Sequence, residues 1–511
     1  GKFKTNHSKS FTMIYEAFVS GLLQVLEWPA FGFLLLGAAV GFIVGILPGL
    51  GGLATLALML PFAYKIQEPI SAFCFLLGMH AITGTTGDIT SILFGIPGEG
   101  TAAATIMDGY PMTKNGEAGR AMGAALMSSL VAGIEGAVVL AISIPIMRPL
   151  VLFFGSPELF MLAVLGITFI ASLSGASLSK GLLAGGIGLM LAAIGVDPQT
   201  GTLRYTMGTL YLWDGLGLAP VVVGLFAIPE IVDLSVRGSS IAEGKMEKIK
   251  GVLEGAKDTF RHFWLTMRCG MIGIFIGALP GLGGGVSQWM AYGHAVQSSK
   301  DPSRFGKGAV EGVIGPGAAN NSKEGGNLIP TVAFGIPGSS AMAILLGAFL
   351  IVGLNPGPEM LTMHLDITFA MVWILVIANI ITASVAFLFL NQLAKLTFVR
   401  GNLLIPFLLM FVFLGSFSSH NNLSDIVVTL IFGFLGYLMV LFKWPRPPFV
   451  LGLVLGRIAE NYLWISSDAY GPSWLLHPSI IVIFLIILVT IGYPLLRPKK
   501  KETQSLAFQS D

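Results

Sequence analysis

Apolar residues run through this chain in long stretches, interrupted mainly by glycine and proline and seldom by charge. A helix needs about 20 apolar residues to span a bilayer. The pattern predicts apolar segments at roughly 29–47, 50–64, 69–83, 118–147, 157–175, 178–196 and 214–235, then at 264–279, 282–297, 365–393, 402–417, 424–442, 448–464 and 476–496. Several are short or broken by Pro or Gly, so some are half-helices or re-entrant hairpins. The expected count is roughly 11–12 true crossings in an all-α integral membrane protein. Residues 11–27, interrupted by Glu16 and Glu27, read as an interfacial helix.

The one long polar stretch, Arg237 to His262, mixes six Lys and Arg with four Asp and Glu and reads as a solvated, partly helical linker. The sequences on either side of it repeat. Gly45-Ile-Leu-Pro-Gly-Leu-Gly-Gly52 returns as Gly277-Ala-Leu-Pro-Gly-Leu-Gly-Gly284, an offset of 232, and Phe94-Gly-Ile-Pro-Gly98 returns as Phe334-Gly-Ile-Pro-Gly338, an offset of 240. Weaker echoes follow in Phe169-x-x-Ser-x-Ser174 against Phe413-x-x-Ser-x-Ser418. The expected organisation is an internal duplication: a tail at 1–27, a membrane repeat at 28–235, a cytoplasmic linker at 236–262, a second repeat at 263–464, and a final helix with a basic tail at 465–511. The linker and the Arg497-Pro-Lys-Lys-Lys501 tail are both basic, which places both in the cytoplasm. The segment between them then crosses an even number of times. Removing the unmatched last helix leaves an odd number per repeat, so the repeats should have opposite topology.

Composition narrows the class. The chain has 511 residues, 54% hydrophobic and 11% charged, with 66 glycines and a mean hydropathy of +0.81. Soluble proteins carry about 25% charged residues, so this surface is built for lipid. The 29 Lys and Arg against 27 Asp and Glu form no dense basic patch, which argues against nucleic acid as a partner. Cys74 and Cys269 are too few and too far apart for a disulfide framework or a zinc site, and the seven histidines form no ligand cluster. Residues 1–12 read as an added or flexible tail, with Met13 a natural starting residue and no secretory signal.

Candidate chemistry gathers at the repeated motifs. Pro48-Gly-Leu-Gly-Gly52 and Pro280-Gly-Leu-Gly-Gly-Gly285 should break helices at membrane depth. A helix starting just past such a break aims its amides and positive dipole end into a cavity, which suits a carboxylate. That makes Gly49, Gly51 and Gly52, with Gly281, Gly283 and Gly284, candidate substrate contacts. The blander reading is a glycine-rich packing seam. Beside the second pair of motifs lie Thr83-Gly-Thr-Thr-Gly-Asp-Ile-Thr-Ser91 and Asn320-Asn-Ser-Lys-Glu-Gly-Gly-Asn327. We expect re-entrant hairpins there, with Thr85, Thr86, Ser91, Pro97, Asn320, Asn321, Pro337 and Ser339 at the substrate, and Asp88, Thr90, Asn327 and Thr331 around a coupling ion. The blander reading is an extramembrane loop. Of the charges at membrane depth, Asp88 is the functional candidate, while Glu135, Glu230, Asp366, Asp425 and Glu460 read as helix-end or pairing residues. No nucleophile elbow, P-loop or Rossmann context surrounds these motifs, so an enzyme is not expected.

The same motifs carry a resemblance. Gly45–Gly52, Gly95-Ile-Pro-Gly-Glu99 running on to Asp108-Gly-Tyr-Pro-Met112, Gly119-Arg-Ala121, Ala318-Ala-Asn-Asn321, Gly325-Gly-Asn-Leu-Ile-Pro-Thr331, and Gly335-Ile-Pro-Gly-Ser339 leading to Gly353-Leu-Asn-Pro-Gly-Pro358 lie in order along nearly the whole chain. The chain resembles the large membrane subunit of the bacterial tripartite tricarboxylate transporter family. It departs from that family at Pro316-Gly317, where Pro-Glu is common, and this bears on the coupling ion. The resemblance implies a multi-pass protein of the bacterial inner membrane that works with a small four-helix membrane subunit and a periplasmic solute-binding protein. It implies gradient-driven import of tri- or dicarboxylates such as citrate, with sodium the usual ion and no other cofactor. A passive anion channel or facilitator is the alternative.

Overall fold

The computed structural model of the protein describes residues 2–46, 51–66, 68–97, 102–173, 177–197, 199–237, 249–280, 283–395 and 401–496, without the side chains of 2–11, 169–173, 237, 283–284, 401–403 and 493–496. The first half contains α1 (Lys2–Leu26), α2 (Ala30–Ile46), α3 (Gly51–Met59), α4 (Pro69–Phe94), α5 (Ala103–Lys114), α6 (Ala118–Val151), α7 (Ser156–Leu173), α8 (Leu178–Ala192) and α9 (Leu218–Arg237). A two-stranded antiparallel ribbon, Gly195–Val196 with Leu203–Arg204, stands before α9. The second half contains α10 (Val252–Arg261), α11 (Phe263–Gly277), α12 (Gly283–Ser298), α13 (Glu311–Phe334), α14 (Ser340–Ile351), α15 (Leu365–Lys395), α16 (Gly401–His420), α17 (Leu423–Leu441) and α18 (Arg446–Tyr470), followed by α19 (Pro478–Leu496).

Packing partners exchange between the halves in a matched way. α2 lies on α4 as α11 lies on α13; α9 lies on α17 as α18 lies on α8; α1 lies on α15 as α10 lies on α6. Small residues set the α2–α4 and α11–α13 seams. Gly41 sits against the Met79 carbonyl and Gly273 against the Ala319 carbonyl, each so close that a Cβ would strike backbone. Without a strong hydrophobic drive between helices in lipid, such close backbone approach supplies the packing. Lipid-facing flanks carry bare apolar side chains, among them Ile431 and Phe434 on α17 and Val482 and Val489 on α19.

Among the described residues, six helices are long and apolar enough to cross a bilayer, or seven if the bent α1–α2 pair forms one span. Six shorter apolar helices of 10–17 residues accompany them; too short to count as spans by the same measure, they leave six or seven crossings among the described residues where the sequence reading expected roughly 11–12.

The hairpin expectation needs correction. α4 does not stop near residue 83 but continues unbroken to Phe94, buried from Ile70 to Leu93. Its hydroxyls fold back onto their own helix: Thr83 donates to the His80 carbonyl (2.8 Å), Thr86 to that of Ile82 (3.0 Å), and both Thr90 and Ser91 to that of Gly87 (3.1 Å). Satisfied in this way, a polar run remains helical inside an apolar protein. α13 likewise carries Asn320–Asn327 in mid-helix, and neither α13 nor α14 was anticipated as an apolar segment. The Phe-Gly-Ile-Pro-Gly motifs are C-caps: Gly95 and Gly335 take left-handed conformations (φ 68° and 67°) that end α4 and α13. Pro97 and Pro337 follow in the turns.

The linker also differs from its solvated reading. α10 buries Gly255, Ala256, Asp258 and Thr259, and Gly255 meets α6 at Arg120 and Ala124.

Candidate functional site

The most polar interior lies where α4 crosses α13. On α4, residues 80, 84 and 88 share one face by the 3.6-residue period; on α13, residues 320, 324 and 327 do the same. The two faces meet in opposite senses. His80 Nε2 stands 3.5 Å from Glu324 Oε1, while Asn320 Nδ2 donates to the Gly84 carbonyl at 2.8 Å and lies 3.4 Å from Asp88 Oδ2. With the offset of 240, His80 corresponds to Asn320 and Gly84 to Glu324, so these two contacts exchange under the duplication. Along these two contacts the numbering of α4 rises as that of α13 falls.

Opposite charges meet inside this crossing. Lys323 Nζ donates to Glu324 Oε1 (2.6 Å) and to the Asn320 carbonyl (2.8 Å), and Asn327 Nδ2 donates to Glu324 Oε2 (3.1 Å). Asn321 Nδ2 donates to Thr85 Oγ1 (2.6 Å) and to Asn379 Oδ1 on α15. All of these side chains are buried. Ions held at this depth need partners with good geometry, because desolvation costs several kcal/mol each.

A second polar junction ties α5, α12 and the start of α13. Asp108 Oδ1 accepts from the amides of Gly308 (2.9 Å) and Ala309 (2.8 Å), and Oδ2 accepts from the Tyr292 hydroxyl (3.0 Å). Asn115, which caps α5, lies against the Lys307 carbonyl at 3.4 Å.

The sequence-predicted residues divide accordingly. Thr85, Asp88, Asn320, Asn321 and Asn327 come together at the crossing. Thr86, Thr90 and Ser91 turn their hydroxyls to helix carbonyls. Thr331 donates to the Asn327 carbonyl (2.6 Å) and accepts from the Gly338 amide (3.3 Å), which fixes the turn beyond α13. Ser339 is the N-cap of α14, accepting from the Met342 amide at 3.3 Å. Gly51 opens α3 with φ 53°, and a Cβ there would meet nothing within 4 Å; Gly52 is buried behind it. Gly283 and Gly284 open α12. Gly49 and Gly281 lie outside the described residues.

Sequence reasoning passed over His80, Lys323, Glu324, Asn379, Asp108 and Tyr292. The Lys323-Glu324 pair was detectable as adjacent charges inside a polar run, but only once that run is known to be a buried helix. Four of the other charges at depth are paired: Glu230 with Arg446 (3.5 Å), Glu460 with Arg204 (2.7 Å), Asp366 with Gln24 (3.2 Å), and Asp425 with Tyr211 (2.6 Å) and His420 (3.2 Å); Glu135 departs from the helix-end or pairing reading, because it lies in mid-helix on α6 and its buried Oε2 has no hydrogen-bond partner. The Asp425 group adjoins a separate cavity of about 590 Å³ lined by Tyr64, Tyr211, His420 and Arg457, which contains none of the predicted site residues.

Residues 31–451 match the model of the Tripartite tricarboxylate transporter TctA family. An Agrobacterium vitis protein described as an uncharacterized 52.8 kDa protein in the TAR-I ttuC' 3' region is 31% identical over 470 residues, covering 91% of this chain and 93% of that protein. A second from the same organism, described as an uncharacterized protein in the TAR-II ttuC' 3' region, is 29% identical over 236 residues, covering 45% of this chain and 98% of that protein. No solved structure matches.

Proposed function

Because this chain belongs to the tripartite tricarboxylate transporter TctA family, we propose that it imports tri- or dicarboxylates across the bacterial inner membrane, driven by an ion gradient. It is a multi-pass membrane transporter and not an enzyme. In our reading it receives its substrate from a periplasmic solute-binding protein and works beside a small four-helix membrane subunit, and sodium is the coupling ion.

One observation carries the proposal: the antiparallel crossing of α4 and α13, which gathers buried ions and amides at the centre of an otherwise apolar protein. When corresponding helices cross antiparallel, the two-fold relating them is perpendicular to their axes. For helices that run across the bilayer, that axis lies in the membrane plane, which supports two inverted repeats with the transport site between them. Such a site can present itself to either side by rocking one repeat against the other. The Asp88 carboxylate supplies hard oxygen donors of the type sodium prefers, and Asn327, Thr90 and Thr331 stand on the same two helices. The glycine-led starts of α3 and α12, with Gly49 and Gly281 just before them, would direct amides toward the substrate carboxylates.

The test is uptake into proteoliposomes containing this chain, the small membrane subunit and the binding protein encoded beside it, with and without an inward sodium gradient. Saturable uptake that needs both the gradient and the binding protein is the expected result. Uptake that survives loss of the gradient would make the protein a channel or facilitator.

A further inference from the structure

α5 and α12 lie against each other and both run antiparallel to α13. Asn115 and Asp108 of α5 meet residues 307–309, Ala291 of α12 meets Gly315, and Ala295 and Ser298 of α12 share a cavity with Glu311. The two helices are therefore parallel, and their N-termini point together toward the depth of the crossing. At one level they are joined by the Tyr292–Asp108 bond. One turn nearer the N-termini, on the same faces, stand Gln288 and Thr105.

Both are fully buried, and neither has a partner: the Gln288 amide makes no bond through Oε1 or Nε2, and Thr105 Oγ1 makes none. One further turn along the same face of α12, a Cβ built at Gly285 would meet none of the described atoms within 4 Å. Ala102, which precedes α5, offers no side-chain cap to the helix amides. A buried primary amide with both ends unpaired is costly, and natural proteins rarely keep one without use.

The duplication supplies an internal control. At the motif offsets of 232 and 240, Gln288 corresponds to Leu56 on α3 and Thr105 to Leu345 on α14. Those two leucines are buried too, each 1% exposed, and α3 packs on α14 as α12 packs on α5. The fold thus accepts leucine at both positions of this helix pair; only one copy of the pair is polar.

We propose that Thr105 and Gln288 form a substrate subsite at the paired N-termini of α5 and α12, selective for a carboxylate that carries a hydroxyl group. This rests on the carboxylate-transport reading and deepens it. The Thr105 hydroxyl and the Gln288 amide N–H donate to one carboxylate of the substrate, in the field of two helix N-termini. Gln288 Oε1 accepts from the substrate hydroxyl, a role no carboxylate oxygen can fill. The subsite exists in one repeat only, so a near-symmetric frame holds its substrate asymmetrically.

The experiment compares malate with succinate, and citrate with tricarballylate, each pair differing by one hydroxyl, as substrates of the reconstituted three-component system. Wild type is expected to favour the hydroxylated member by about tenfold or more in kcat/KM. Gln288→Leu, which installs the residue of the other repeat, is expected to erase that preference while the substrate-free melting temperature stays level or rises. Thr105→Val is expected to raise KM for all four acids. An intact preference in Gln288→Leu, or a wild type indifferent to the hydroxyl, overturns the subsite while leaving carboxylate transport standing. A lowered melting temperature with preference intact makes Gln288 a structural residue. Wild type that takes up no carboxylate overturns the transport reading, and the subsite with it.

Discussion

Asn321 of α13 donates its amide to the hydroxyl of Thr85 on α4 at 2.6 Å, which joins the two halves of the chain side chain to side chain in a fully buried place. The same amide reaches Asn379 on α15. Replacing Asn321 by Ala leaves two acceptors unpaired at the crossing, at a cost of roughly 1–3 kcal/mol each. The expected outcome is a melting temperature in detergent several degrees lower and uptake reduced to a small fraction of wild type. Wild-type stability in that variant would mean that these bonds do not hold the halves together.

Lys323 and Glu324 should behave as a unit. Removing one partner of a buried ion pair strands the other charge and costs about 3–5 kcal/mol, whereas replacing both is often close to neutral. Lys323→Met and Glu324→Gln are each expected to express poorly, and the double variant to recover most of the folded protein. Size-exclusion chromatography of the three variants, read as a double-mutant cycle, measures the coupling. Additive losses would show that the pair contributes nothing as a pair.

Docking of α10 on α6 should be insensitive to pH across the neutral range. Burial pushes the Asp258 carboxyl up, but hydrogen bonds from Arg120 (2.6 Å) and Arg261 (2.8 Å) outweigh it and hold the group below its usual value. A depressed folded value gives stability that is present above the unfolded value, about 3.9, and is lost only as pH falls through the lower folded one. Hydrogen exchange of the α10 amides is expected to stay slow from pH 8 to pH 5, and Asp258→Asn to speed it at pH 7. Exchange that quickens between pH 7 and pH 5 would contradict this assignment.

Gly325 of α13 meets Gly136 of α6 backbone to backbone, and a Cβ on Gly325 would overlap the Gly136 carbonyl. Backbone cannot rotate out of the way as a side chain can. Gly325→Ala should therefore lower the melting temperature more than the same change at Gly285, where there is room. Equal effects at the two sites would show that α6 and α13 separate readily.

Much of the architecture was legible because hydrophobicity and duplication leave marks in sequence. The repeated Pro-Gly-Leu-Gly-Gly and Phe-Gly-Ile-Pro-Gly motifs gave the register later met in the contacts of α4 with α13. The extents of the polar helices were not legible. A bilayer rule ends a helix where apolar residues give way to Thr83–Ser91, yet inside the protein those hydroxyls bond back to their own helix and the rule does not apply. For the same reason the segment of α13 read as a re-entrant hairpin, and Lys323 and Glu324 were not counted as charges at depth. Gln288 and Thr105 carry no motif. Their signal is a contrast, polar in one repeat and leucine in the other, and it has meaning only once the four helices are seen as two packed pairs.

The glycine seams along α2–α4 and α11–α13 bear on motion. Where Gly41 rests on the Met79 carbonyl and Gly273 on that of Ala319, backbone approaches backbone, with the Ile82 side chain and the Ser322 hydroxyl closing the two contacts. Hydroxyls also cross these seams, Ser322 donating to the Gly270 carbonyl at 2.9 Å and Thr86 reaching that of Gly41 at 3.4 Å, so any sliding of α2 along α4 or of α11 along α13 has to break a hydrogen bond as well as shift the glycine track.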